Sequence, residues 1–131
     1  RLWIDHGQAP VDDTYGYTVY TGKGTPSARL PFCVLRNDSL VQAVQSADKK
    51  LLQAVFYPGN NGLQAGGVSL TASEPCTVMI KTVAGKSVFT VTDACMNAAL
   101  KKITLTYNGE TIEVPMPQGE FCGRTVSYEL P

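Results

Sequence analysis

The stretch "KKITLTYNGETIEVPM", Lys101–Met116, decides the fold class. Asn108-Gly109 is the kind of pair a type I′ turn demands, because both central residues must take φ > 0. A two-residue loop there sets Tyr107 opposite Glu110, Leu105 opposite Ile112 and Ile103 opposite Val114. Those apolar residues then share one face, while Thr104, Thr106, Thr111 and Glu113 share the other. Turn chemistry and period-2 patterning select the same register, so the segment is predicted to be a half-buried antiparallel hairpin.

The same logic extends upstream. In "CTVMIKTVAGKSVFTVTD" (Cys76–Asp93) a loop at Ala84-Gly85 pairs Ile80 with Phe89 and Val78 with Val91, again on one face. Further strands are predicted near residues 2–6, 15–20, 32–36, 40–46, 51–56, 66–71 and 122–130. The segment "NDSLVQAVQSADKKLLQAVF" (37–56) admits two readings. Leu40, Val44, Leu51, Leu52 and Val55 suit a helix face, and a turn at Ser46-Ala47-Asp48 suits a hairpin instead. "YPGNNGLQAGG" (57–67) reads as a glycine-rich loop. It lacks the Gly-Lys-Ser/Thr ending and following helix of a phosphate cradle. Turn residues recurring about every ten positions predict an all-β antiparallel sandwich.

The chain has 131 residues, which fits a single β-sandwich domain over 1–131. Residues 1–22 are set apart as the tail of a preceding β-domain or a linking strand pair. The start at Arg1-Leu2-Trp3-Ile4 is already strand-like, which points to a piece of a longer protein. Hydrophobic residues make up 44% and charged residues 17%, a globular balance. Lys plus Arg and Asp plus Glu number 11 each, so no net field steers the chain toward nucleic acid. No apolar run approaches the ~20 residues of a membrane span.

Chemistry-bearing residues are few. Cys33, Cys76, Cys95 and Cys122 form no Cys-x-x-Cys pair, and His6 is the one histidine, which argues against zinc. The four cysteines allow three pairings as well as free thiols. Asp5 and His6 are neighbours on a predicted strand and so face opposite ways, which denies them a direct dyad. Tyr15, Tyr17 and Val19 share a strand face in that reading and are assigned to sheet packing. Two kinds of glycan contact are left as candidates. Lys49-Lys50 and Lys101-Lys102 would hold an acidic polymer by charge, although surface lysines also guard strand edges. Tyr57, beside the glycine-rich loop, and Tyr107, beside the Asn-Gly turn, would offer stacking faces to sugar rings.

An ordered series of motifs adds a resemblance. His6-Gly7 is followed by Tyr15-Gly16-Tyr17, then by Val34-Leu35 with Asn37 and Val41-Gln42-Ala43-Val44, then by a strand pair ending in Val91-Thr92-Asp93-Ala94-Cys95. This order resembles the C-terminal β-sandwich region of family 8 polysaccharide lyases, which cleave hyaluronan, chondroitin or xanthan. Where those proteins show an Asp-Pro-Thr-like turn, this chain has Asp93-Ala94-Cys95. The resemblance implies a non-catalytic, structural or accessory domain, because the family's acid–base residues lie in a helical toroid. It implies packing partners in preceding β and helical domains, contact with acidic polysaccharide, no cofactor, and a secreted or periplasmic location. An autonomous carbohydrate-binding module and an immunoglobulin-like adhesion domain are the rival readings.

Overall fold

In the computed structural model, the described residues are Asp5, 7–11, 15–25, Ser27 and 29–130. Ten strands account for the regular structure: β1 Phe32–Asn37, β2 Val41–Ser46, β3 Leu51–Phe56, β4 Asn61–Ala65, β5 Val68–Ala72, β6 Cys76–Val83, β7 Lys86–Thr92, β8 Lys102–Tyr107, β9 Glu110–Pro115 and β10 Val126–Glu129. A 3-10 turn, Gly119–Phe121, precedes β10. The strands make a six-stranded sheet ordered β1-β2-β3-β6-β7-β10 and a four-stranded sheet ordered β4-β5-β8-β9. Every pairing is antiparallel.

Alternation explains why the two sheets face each other. The buried apolar positions of the large sheet include Val41, Ala43, Leu52, Ala54, Phe56, Val78, Ile80, Phe89 and Val91. Those of the small one include Leu63, Leu70, Ile103, Leu105, Ile112 and Val114, and together they form one core. Each Val, Leu, Ile or Phe among them contributes on the order of 1.5–3 kcal/mol on leaving water. The predicted registers hold: Ile103 faces Val114 and Leu105 faces Ile112, and Val78 faces Val91 and Ile80 faces Phe89. The segment 37–56 resolves as the β2–β3 hairpin rather than a helix.

The β2–β3, β4–β5, β6–β7 and β8–β9 turns gather at one end of the sandwich; the β1–β2 turn lies with the crossovers at the other, where Tyr57 N donates to Leu40 O. Leu51 pairs with Lys81, so the β2–β3 and β6–β7 turns are neighbours. Asn108 Oδ1 accepts from Ser69 N at 2.9 Å, which joins the β8–β9 turn to the base of the β4–β5 turn. A Cβ at Gly66 would lie 2.7 Å from Leu35 Cδ2 and 3.0 Å from Gln45 Oε1, bringing that turn against the large sheet. Gly66 also has φ +63, so this tight approach needs glycine twice over. The other end holds the 57–60, 73–75, 93–101 and 116–125 connections.

Three expectations change. Residues 57–67 are not all loop: β4 lies within them and pairs with β5 from Asn61↔Ala72 to Ala65↔Val68. Only Leu63 of that strand is a buried large apolar residue, so alternation could not announce it. Residues 15–20 form no strand. Their contact with β1 runs through a side chain, Asn37 Nδ2 donating to Tyr15 O at 3.2 Å, rather than through a ladder. The last strand is shorter than 122–130, because the turn that follows Gly119–Phe121 takes up its beginning. Of the strand expected at 2–6 only Asp5 is described, and Trp3 and His6 lie outside the described residues.

Ala84 holds φ +51 in the β6–β7 turn, a region that costs a Cβ-bearing residue ~1–2 kcal/mol. Ala84→Asn, exposed and suited to a type I′ turn, is expected to raise stability by about 0.5–1 kcal/mol. The midpoint of a urea titration would report it, with the slope unchanged.

Candidate functional site

A groove of about 800 Å³ lies over the outer face of β1 and β2. Its floor is Phe32 and Val34 from β1 and Gln42 and Val44 from β2. Tyr15, Tyr17 and Tyr57 form its walls. These side chains point outward because their neighbours in the alternation, Val41 and Ala43, point into the core. Tyr17 is 76% exposed and Tyr57 50%, so their rings are available to a ligand.

A run of hydrogen bonds fixes the walls to the floor. Tyr57 Oη donates to Gln42 Oε1 at 2.8 Å. Gln42 Nε2 donates to Asn37 Oδ1 at 3.0 Å, and Asn37 Nδ2 reaches Tyr15 O. Residues from three separate parts of the chain are thereby held in one arrangement.

The groove's charges are one Arg and one Asp, already paired. Arg36 Nε donates to Asp38 Oδ2 at 2.6 Å, and Arg36 Nη1 donates to Gly62 O at 2.6 Å. The second bond clamps the edge of the large sheet to β4 of the small one. It is available because the β1–β2 register shifts between Val34 and Arg36, where an irregularity leaves Leu35 unpaired. Bonding from Val41 N, and then from Arg36, holds the Asp38 carboxyl below the ordinary carboxylate range. With its cation satisfied internally, the groove is suited to neutral ring faces and hydroxyls more than to a dense polyanion.

The six residues singled out in the sequence scatter. Tyr57 sits in the groove. Tyr107 is half-buried, and its ring meets the buried ring of Phe89 at 5.3 Å and 78°, a T-shaped contact inside the protein. Lys49 and Lys50 occupy the β2–β3 turn, with Lys49 at φ +59. Lys101 and Lys102 flank the start of β8 at the crossover end, roughly a strand length (~17–20 Å) away. Lys102 is ion-paired with Glu113 on the adjacent strand. That pair is exposed, so it contributes little to stability.

Other residues join the two that remain. Lys81 and Lys86 border the β6–β7 turn, and Lys50 O accepts from Thr82 N at 2.8 Å, so four lysines collect at the hairpin end. Tyr15 and Tyr17, expected in sheet packing, instead wall the groove, and Arg36 lines it beside them. The Tyr-x-Tyr spacing was the one signal that could have marked the groove. Among the described residues no cluster of His, Cys, Asp and Glu could hold a metal. No helix among them is long and apolar enough to cross a membrane.

The family model for the polysaccharide lyase family 8 C-terminal beta-sandwich domain matches residues 33–100, which is β1 through the connection after β7. The chain belongs to polysaccharide lyase family 8. Within that family, Chondroitinase-AC of Pedobacter heparinus is 32% identical over 138 residues, spanning 98% of this chain and 20% of the enzyme. A solved structure of chondroitinase AC lyase, from work on enzyme–oligosaccharide complexes, aligns with a TM-score of 0.65 at 31% identity. That alignment covers 74% of this chain and 15% of the other. The family 8 sandwich described above is thus about a fifth of the length of the chondroitinase it matches.

Proposed function

We propose that this chain is the non-catalytic, accessory domain of a lyase that cleaves an acidic polysaccharide by β-elimination. The alignment with Chondroitinase-AC carries this reading, because it takes in nearly the whole chain but only 20% of the enzyme. Elimination at a uronic acid requires charge neutralisation at the carboxylate, a base for the C5 proton and an acid for the leaving oxygen. The groove offers tyrosines as acids, but its one arginine is committed to Asp38 and Gly62. The chain's work is then to pack against the lyase's preceding β and helical domains and to meet the polymer at the margin. Because such a polymer is too large to enter a cell intact, we read the protein as secreted or periplasmic.

Two surfaces are offered to a glycan, and they differ in chemistry. The Lys49, Lys50, Lys81 and Lys86 end suits sulfates and carboxylates, whereas the tyrosine groove suits sugar faces. We assign the polyanion contact to the lysine end.

Incubating the chain with chondroitin sulfate is expected to give no rise in ultraviolet absorbance from unsaturated product. A rise would overturn the non-catalytic reading. On immobilised chondroitin sulfate, the chain is expected to be retained weakly and to elute with modest salt. Replacing the four lysines by Gln should abolish that retention, while Tyr57→Ala should leave it unchanged. The reverse pattern would move the contact to the groove and favour an autonomous carbohydrate-binding module.

A further inference from the structure

We propose that Cys95 and Cys122 are a disulfide-forming pair that ties the end of β7 to the approach to β10. The β7–β10 ladder runs antiparallel from Val88↔Glu129 to Val91↔Val126. One step further out in the same register Thr92 meets Thr125, with Thr92 Oγ1 and Thr125 Oγ1 2.8 Å apart. Both segments then turn, with Met96 N donating to Asp93 O on one side and Arg124 N to Phe121 O on the other. The segments stay together through these turns. A Cβ on Gly123 would lie 2.5 Å from Met96 Cγ and 3.4 Å from the carbonyl oxygen of Asp93. Each cysteine is therefore one residue from a point of direct contact between the two segments. A disulfide joins Cα atoms ~4.4–6.8 Å apart, a separation that contact between the residues flanking the two cysteines permits.

The other two cysteines are poorly placed to compete. Cys33 lies on β1, at the far edge of the six-stranded sheet. Five inter-strand spacings of ~4.8 Å separate it from β10. Cys76 is 2% exposed and faces the core, where burial pushes its thiol up to about 12. Cys95 is exposed and Cys122 half-buried, so an oxidant can reach them.

The structure shows both thiols free, and the bond forms by exchange with a small-molecule or protein disulfide. The thiolate of one cysteine attacks a sulfur of that disulfide, making a mixed disulfide and releasing one thiol. The other thiolate then attacks the protein sulfur and releases the second thiol. Two protein thiols are oxidised by two electrons, the external disulfide is reduced to two thiols, and both protons end on the released thiols. The bond encloses residues 96–121 and anchors β10, a four-residue strand at the edge of the six-stranded sheet.

Oxidation with glutathione disulfide, followed by alkylation and non-reducing peptide mapping, is expected to yield a linked peptide pair carrying Cys95 and Cys122. Cys33 and Cys76 should be recovered alkylated after unfolding. The oxidised chain should melt ~10 °C above the reduced chain. The Cys95→Ser, Cys122→Ser double variant should melt with the reduced chain whether or not glutathione disulfide is present. Recovery of Cys95 and Cys122 as alkylated thiols after oxidation would overturn the proposal, as would a bond from Cys76 to either.

Discussion

Phe89→Ala is expected to lower the folding free energy by about 3–5 kcal/mol, the range for truncating a buried phenylalanine. Phe89 is fully buried on β7 and lies directly opposite Ile80. Its ring contacts Tyr107 on the other sheet, so the loss falls on the seam between the layers rather than within one of them. Domains of this size are stable by ~5–15 kcal/mol, and the variant would lose a large share of that. Phe89→Leu keeps most of the volume and should cost less than about half as much. Urea unfolding monitored by circular dichroism would separate the two midpoints. Equal midpoints for Phe89→Leu and Phe89→Ala would show that the Phe89–Tyr107 seam does not hold the sheets together.

Asp93→Ala is expected to cost about 3 kcal/mol by a different route. Asp93 is 3% exposed, yet its carboxylate is used on both sides. Oδ1 accepts from Cys95 N at 2.9 Å and Oδ2 from Asn97 N at 2.7 Å. Each bond to a charged acceptor contributes roughly 1.5–3 kcal/mol, and removing the acceptor leaves two partly buried N–H groups unpaired. Those bonds turn the chain out of β7 and aim it at β8. Asp93→Asn retains one acceptor and should lose roughly half as much. Thermal unfolding of both variants in reductant, which removes any contribution from Cys95, tests the point. If Asp93→Ala melted like the parent, the turn would be held by something other than this carboxylate.

Much of the secondary structure could be read from the chain because its cues are local. Asn108-Gly109 and Ala84-Gly85 set the registers of two hairpins, and alternation on both sides agreed with them. Where a strand buries one large apolar residue, as β4 does with Leu63, the pattern is too weak to distinguish strand from loop. Where alternation is present but no partner strand is offered, as at Tyr15 and Tyr17, the pattern misleads. The candidate surfaces were less legible still. Tyr57 and Tyr107 carry the same ring beside comparable turns, yet one borders an open groove and the other packs on Phe89. Lys49-Lys50 and Lys101-Lys102 look alike as doublets, but one pair is joined by Lys81 and Lys86 and the other lies at the opposite end.

By itself the sequence determined the all-β class, the hairpin registers and which face of each hairpin is apolar. Those depend on turn dihedrals and on a side-chain period of two, both set by residues only a few positions apart. Only the tertiary structure decided which sheet each hairpin joins, that β10 returns to β7, and that a tyrosine-walled groove and a lysine-rich end result. Those outcomes depend on burying apolar faces contributed by distant segments, and no short window of the chain contains both partners.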